Sequence, residues 1–263
     1  MNLRVLSAVI LIMPFLASCV HSVYLQSPMQ ANTNSYKAIP LQSENIKSST
    51  NISGGIITGS ANQSLRDENY GFVGSLYRSH NVGRFQGFYG ATGVIGKYHV
   101  DPDYFYTNNA TYESLYNKSG EHKYYGAWGF NGGINYVQPF RNGGEWRIIG
   151  AEVSWTREFG DYNYFRKNIP DSMVRLVDRH RDFTTLSINS DFVFRLRKRG
   201  SIGYKLGYVT SLTHLQYSDR NYGITPGYFS QTFHFSRDRF TGFWQTNFGS
   251  YAISSMLGVS YRL

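Results

Sequence analysis

A period-two alternation of side chains recurs from residue 51 to the end of the chain, and it constrains the fold more than any other feature. In residues 201–212, large apolar side chains take every second position, and small or polar side chains take the positions between them. The apolar members are Ile202, Tyr204, Leu206, Tyr208 and Leu212. Period two places the two sets on opposite faces of a sheet. The same pattern in residues 124–136, 146–157 and 184–196 predicts further strands.

The whole pattern predicts about ten strands separated by connections of unequal length. The predicted strands begin near Asn51, Tyr70, Phe85, Tyr124, Trp146, Thr184, Ser201, Tyr228, Phe240 and Ala252. The connections alternate between long and short, except for a short last one near residue 250. Long loops at one end and tight turns at the other are typical of outer-membrane barrels. We therefore expect an all-β fold, an antiparallel up-and-down meander barrel of about ten strands (eight to ten) that crosses a membrane.

Composition supports β-structure but leaves open which face of the strands is wet. The chain has 22 Tyr, 18 Phe and 27 Gly among 263 residues, and these residue types favour strands and tight turns. A soluble β-domain with the apolar face in its core would show the same alternation. The opposite face carries Glu152, Asp191 and Lys205, which suit a polar barrel lumen better than a dry core. We prefer the membrane barrel, with a soluble periplasmic β-domain, tethered by lipid, as the alternative.

The first residues of the sequence predict an export signal. After Arg4 comes an apolar run of about a dozen residues, which is too short to span a bilayer as a helix. The run ends in Leu16-Ala17-Ser18-Cys19, and Cys19 is the one cysteine of the chain. This stretch resembles the bacterial lipobox. The resemblance implies covalent diacylglycerol and N-acyl lipid on Cys19, and we expect no other cofactor.

The lipobox also divides the chain. We expect a lipoprotein signal peptide in residues 1–18, a lipid-anchored polar tether in 19–50 and the β-barrel domain in 51–263. The tether is rich in Ser, Asn and Gln and shows little periodicity. An even number of strands puts both ends of the barrel domain on the short-turn side, where a lipid in the inner leaflet of the outer membrane would lie.

The chain end resembles the β-signal that the barrel assembly machinery recognises. Residues 256–263 (MLGVSYRL) contain a glycine, then an aromatic residue and a terminal hydrophobic residue. Together with the lipobox, Ile39-Pro40-Leu41 and the glycine–aromatic strands, this end makes the chain similar to lipid-anchored β-barrel proteins of the Bacteroidota outer membrane. The resemblance implies an outer-membrane location with the long loops outside the cell. It also implies contact with outer-membrane lipid and assembly by the barrel assembly machinery. Most members lack an assigned activity.

The long loops are the expected functional surface. A barrel of about ten strands has an interior largely filled by side chains, which argues against free diffusion of solutes. We expect a non-enzymatic accessory, structural or binding role, in which loop aromatics contact an envelope protein or a glycan. The candidate contact residues are Tyr104, Tyr106, Tyr112, Tyr162 and Tyr164. Export makes nucleic acid a poor partner despite the net charge of +9.

Two long loops also carry a candidate hydrolytic set. Asp101 and Asp103 lie in one loop, and Asp178 and His180 lie in another. An Asp–His pair that faces two aspartates can activate a water molecule. The set resembles that of omptin-type outer-membrane proteases, in these residues alone. The seven His are scattered without metal-ligand spacing, so no metal site is expected. Residues 170–179 are predicted to form a short helix that caps its loop.

Overall fold

The computed structural model describes residues 23–29, 35–62, 65–105, 117–196, 200–217, 223–249 and 251–263. Its main feature is a closed barrel of ten strands. The strands are β1 (Ser48–Ala61), β2 (Asp67–Val82), β3 (Phe85–His99), β4 (His122–Pro139), β5 (Glu145–Phe159), β6 (Asp182–Leu196), β7 (Gly200–Ser211), β8 (Gly227–Arg237), β9 (Phe240–Gly249) and β10 (Ala252–Arg262). Each begins within three residues of its predicted start.

The barrel is a simple meander. Each strand pairs antiparallel with the next one along the chain. β10 closes the barrel by pairing antiparallel with β1, where Leu257 lies opposite Ile56. Closure leaves no open sheet edge, so the backbone polar groups of the wall are satisfied within the wall. The predicted fold class is confirmed.

The two ends of the barrel carry the connections that the sequence assigned to them, but the connection expected to be long at 60–69 shortens to 62–66 because β1 and β2 extend into it. The connections 83–84, 140–144, 197–199 and 238–239 meet at one end, which we call the short-turn end. The connections 62–66, 100–121, 160–181, 212–226 and 250–251 meet at the other, which we call the long-loop end. Gly83 and Asp238 adopt positive φ angles of 58° and 56° in two-residue turns, as tight hairpins require.

The barrel wall is apolar outside and polar inside. Outward side chains such as Ile202, Tyr208 and Leu257 are 48%, 52% and 60% exposed. Inward side chains such as Asn189 and Gln245 are buried. A soluble β-domain would bury the apolar set, whereas a bilayer stabilises an apolar exterior and tolerates a polar lumen. The exterior therefore identifies the lipid-facing surface.

The middle of the region expected to be a polar tether lies inside the barrel. Its described residues before β1, 23–29 and 35–47, are here called the lumenal segment. Leu25, Met29, Tyr36, Lys37 and Leu41 are buried in it. The expectation of a tether is wrong for these five buried residues, whereas residues 43–45 and 47 are exposed. Their polar groups bind the lumenal wall, and that pairing leaves no periodicity in the sequence. Cys19 and the signal peptide lie outside the described residues.

The long-loop end carries its own small structure. A four-stranded sheet joins Tyr24–Leu25, Leu176–Val177, Leu215–Tyr217 and Gly223–Ile224. The first two pair in parallel and the others antiparallel. Helix α1 (Asp161–Asn168) follows β5, with Asp161 in its first turn and Arg166 and Lys167 in its last, as the helix dipole favours.

The helix predicted in residues 170–179 is absent from that described stretch. It forms one 3₁₀ turn (Asp171–Met173) and then the strand Leu176–Val177. Strand neighbours on both sides supply the backbone hydrogen bonds that a helix would have made internally. Within the described ranges, no helix has the length and apolar character needed to cross a membrane.

Candidate functional site: the lumenal segment and the long-loop end

The lumenal segment is bound at the short-turn end by the turns and by strand β5. The side chain of Gln42 donates to the Gly83 carbonyl at 2.7 Å, and its backbone N–H donates to Glu145 Oε2 at 2.9 Å. Ser43 Oγ donates to the Gly143 carbonyl at 2.7 Å. Glu44 accepts from Arg262 Nη1 at 2.7 Å. These contacts fix where the segment enters the lumen.

Aromatic side chains hold the middle of the segment. The Tyr77 hydroxyl on β2 accepts from the Ala38 N–H at 2.8 Å and lies 3.2 Å from the Ala38 carbonyl oxygen. Tyr36 stacks on the His234 ring with centroids 4.5 Å apart. The Phe243 ring also packs against Tyr36, with ring centroids 5.6 Å apart. The segment is therefore packed against several strands rather than suspended in an open pore.

A buried ion cluster, the Arg147 cluster, lies beside this part of the segment. Arg147 donates to Glu145 Oε1 at 2.9 Å and to Asp191 Oδ2 at 2.8 Å. Its remaining Nη2 donates to the Ile39 carbonyl of the lumenal segment at 2.9 Å. His234 Nε2 lies 3.0 Å from Asp191 Oδ1. The guanidinium therefore ties the segment to the wall while balancing two buried carboxylates.

A β-bulge puts Arg147 in the lumen. The register between β5 and β6 shifts between Arg147 and Gly150, so β5 has one extra residue there. Strict alternation would put Arg147 on the same outward face as Ile149, which is 56% exposed. The bulge reverses this and leaves Arg147 3% exposed. Sequence reasoning missed this residue because alternation carries no signal for a bulge. The inward positions of Glu152, Asp191 and Lys205 were anticipated, and Lys205 pairs with Glu152.

At the long-loop end, the segment leaves the lumen among the loops. Ser27 Oγ donates to Glu158 Oε2 at 2.8 Å, near the far end of β5. The Gln26 carbonyl accepts from the Tyr162 hydroxyl of α1 at 3.0 Å. The Leu25 carbonyl accepts from the Asp178 N–H at 2.8 Å. Loop and segment thus order each other.

A second buried ion cluster, the Arg166 cluster, supports these contacts. Arg166 on α1 is fully buried and donates to Glu158 Oε2 at 2.5 Å and to the Asp178 carbonyl at 2.7 Å. Its Nη1 also lies 3.5 Å from Asp178 Oδ2. The guanidinium stacks over the Tyr162 ring at 5.0 Å. The cluster locks α1 onto the mouth of the barrel. Sequence reasoning found neither α1 nor Arg166.

The four candidate hydrolytic residues fall into two separate clusters. Asp178 and His180 do pair, with His180 Nδ1 3.0 Å from Asp178 Oδ1. This hydrogen bond raises the pKa of His180. Asp178 itself is fully buried.

Asp101 and Asp103 have different partners. Arg66 Nη1 lies 3.6 Å from Asp101 Oδ2 and 3.5 Å from Asp103 Oδ2. Asp101 Oδ1 accepts the backbone N–H of Asp103 at 3.0 Å. These contacts are those of a loop-stabilising ion cluster.

The candidate contact tyrosines have different environments. Tyr162 is fully buried, stacks on Tyr98 at 3.8 Å and binds the lumenal segment. The expectation that it offers external contact surface is wrong, because helix formation turns it into the barrel mouth. Tyr164, two residues later, is 71% exposed. Tyr106 and Tyr112 lie outside the described residues, and so does the side chain of Tyr104.

The cavities next to the segment are small. Two of them, of about 30 and 20 Å³, adjoin Tyr36 in the lumen. A larger one, of about 320 Å³, opens at the short-turn end beside Glu44 and Arg262. The lumenal volumes suit a water molecule or two. Among the described residues, no group of three or more His, Cys, Asp or Glu is arranged to hold a metal ion.

No family model and no curated protein matches the chain. Solved structures of outer-membrane proteins are similar at low identity. The transport unit of the autotransporter AIDA-I from Escherichia coli is 11% identical, with 89% of this chain and 95% of that chain covered and a TM-score of 0.41. The translocator domain of the autotransporter NalP from Neisseria meningitidis is 9% identical, with coverages of 83% and 89% and a TM-score of 0.40. An outer membrane channel from Pseudomonas putida F1 is 9% identical, with coverages of 87% and 98% and a TM-score of 0.40.

The class of protein follows from the chain's own fold and surface. A closed ten-stranded antiparallel meander, apolar outside and polar inside, defines an outer-membrane-type β-barrel.

Proposed function

We propose that the mature chain is an outer-membrane lipoprotein, anchored through Cys19, with a non-enzymatic accessory, structural or binding role. Its long-loop end is the surface that contacts an envelope protein or a glycan. The observation that carries this proposal is the occupied lumen. Contacts at both ends and in the middle hold the lumenal segment, and the cavities beside Tyr36 are water-sized. A barrel filled in this way is suited to display its loops rather than to pass solutes.

The geometry disfavours the hydrolase. General-base catalysis needs a carboxylate or imidazole that can reach a water and a substrate. Asp178 is fully buried and is already engaged by Arg166 and His180. Asp101 and Asp103 pair with Arg66 instead, and among the described residues no hydrogen bond or ion pair joins them to Asp178 and His180. The apolar exterior likewise argues against a soluble periplasmic domain, which would expose that surface to water.

Lipidation and pore closure are tested separately. Radiolabelled palmitate is expected in the native protein and not in Cys19→Ala. In planar bilayers, the full chain is expected to give no steady conductance. A variant that lacks residues 23–47 is expected to conduct, provided that it keeps the gel shift of a folded barrel. Steady conductance by the full chain would contradict the closed lumen.

The binding role is tested by site-specific photo-crosslinking in growing cells. A crosslinker at Tyr164 is expected to trap a partner, whereas one at Arg141, exposed in a short turn, is the matched control. Adducts from Arg141 alone would place the contact surface at the wrong end.

A further inference from the structure

The two ends of the lumenal segment contact opposite ends of one barrel strand. Gln42 binds Glu145, the first residue of β5, with its N–H 2.9 Å from Glu145 Oε2. Ser27 binds Glu158, one residue before the end of β5, at 2.8 Å. The segment therefore runs through the lumen from the short-turn end to the long-loop end.

The first described residues emerge at the long-loop end and are held there. The Val23 carbonyl accepts from the N–H groups of Arg175 and Leu176 at 3.0 and 3.3 Å. The Tyr24 N–H donates to Asn62 Oδ1 at 3.0 Å, and its ring stacks on Tyr251 at 4.6 Å. These four partners lie in three different connections of the long-loop end. The exit is thus fixed from several sides.

Chain length decides where Cys19 can lie. Cys19 precedes Val23 by four residues, a reach of at most about 14 Å. Glu158 lies thirteen positions after Glu145, and one of these is the extra residue of the bulge. The strand therefore extends about 40 Å between them, which is roughly 30 Å of barrel height after the usual tilt. Cys19, within about 14 Å of Val23, therefore cannot reach the short-turn end.

We infer that the lipid on Cys19 lies in the membrane leaflet at the long-loop end. This inference rests on the proposed lipidation of Cys19. The even number of strands had predicted a lipid at the short-turn end. That prediction locates Ser48, the first residue of β1, but the chain before Ser48 runs through the lumen to the long-loop end. The C-terminus stays at the other end, where the Leu263 N–H donates to the Thr50 carbonyl at 2.9 Å. The lipid therefore inserts into the leaflet on the same side of the membrane as the long loops.

The test places single cysteines at three positions and probes them with a membrane-impermeant maleimide, on intact and on permeabilised cells. Ser22→Cys reports the anchor side, Tyr164→Cys the long-loop end and Arg141→Cys the short-turn end. Ser22→Cys is expected to label under the same conditions as Tyr164→Cys and opposite to Arg141→Cys. Labelling of Ser22→Cys together with Arg141→Cys, or only after unfolding, would overturn the inference.

The single-cysteine variants are built in two backgrounds, so that the lipidation of Cys19 and the position of the segment's exit are tested separately. In the native background, lipid occupies the Cys19 thiol, and the parent chain without an added cysteine gives the background signal. In the second, Cys19→Ala behind a conventional signal peptide, no other cysteine is present. If palmitate incorporation is absent and Ser22→Cys still labels with Tyr164→Cys, the lipid proposal fails and the threading stands. If palmitate is incorporated and Ser22→Cys labels with Arg141→Cys, the leaflet inference fails and the lipoprotein stands.

Discussion

The lumenal segment is held in different ways at its two ends. In the short-turn half, its buried partners are side chains of barrel strands, Tyr77 on β2 and Arg147 on β5, and only its exposed end binds the short turns. At the long-loop end, its partners include Tyr162 on α1 and Asp178 in a loop. A contact to the wall opens only when the barrel itself distorts, whereas loops and short helices open by local unfolding. The short-turn half should therefore share the stability of the barrel, and the long-loop end should open independently.

The Arg147 cluster should give the largest effect. Arg147→Met leaves Glu145 and Asp191 buried without their shared cation and removes the bond to the Ile39 carbonyl. Breaking a buried ion pair by removing one partner costs about 3–5 kcal/mol. The midpoint of urea unfolding of the purified barrel should fall accordingly. Arg141→Met, at an exposed turn, is the control, and equal midpoints for both variants would contradict the role of the cluster.

Arg166→Met should act locally. It leaves the buried carboxylates of Glu158 and Asp178 without their shared cation. The stability of the long-loop end should fall by up to about 3–5 kcal/mol. Protease cleavage within residues 160–181 should become faster, while the urea midpoint of the barrel falls far less than in Arg147→Met. A matching fall of the midpoint in both variants would show that the two ends are one cooperative unit and would break the comparison.

Tyr77→Phe should have a moderate effect in the short-turn half. The variant keeps the ring but leaves the Ala38 N–H without its acceptor and removes the contact with Ser260 Oγ at 2.9 Å. An unsatisfied buried donor costs about 1–3 kcal/mol. The fall in the midpoint of urea unfolding measures this cost. Tyr89→Phe, on the outer face of β3, should leave the midpoint unchanged.

His180 should give the smallest effect, and one that depends on pH. Its bond to Asp178 raises its pKa in the folded loop, so folding favours the protonated ring. The stabilisation is complete below the unfolded pKa of about 6.5 and is lost as the pH rises through the folded value. Protection of residues 160–181 from hydrogen exchange, corrected for intrinsic rates, should be greater at low pH. His180→Asn should remove this difference, and a difference that persists in the variant assigns it to other groups.

The barrel wall was predictable because its pattern is local. Alternation in segments such as residues 201–212 identified the strands, and loop lengths identified the two ends. Inward charges such as Asp191 indicated a polar lumen, since a dry core would not hold them. Each of these signals is contained within a few consecutive residues.

The contents of the lumen were not predictable in the same way. Residues 23–29 and 35–47 bind partners that lie far away in the sequence, as Ser27 does with Glu158, so polar composition suggested a tether. Arg147 faces inward only because of a bulge, and Leu176–Val177 form a strand only because neighbouring strands pair with it. Tertiary partners overrode local propensity in both places.

The apolar exterior of the barrel implies that the strands themselves cross the outer membrane. The direct measurement is Cys19→Ala, exported by a conventional signal peptide, followed by alkaline and urea washing of the outer membrane and by gels of unheated and boiled samples. The apolar exterior predicts that the unlipidated protein stays in the washed membrane and shifts on boiling. Recovery as a soluble periplasmic protein would contradict it.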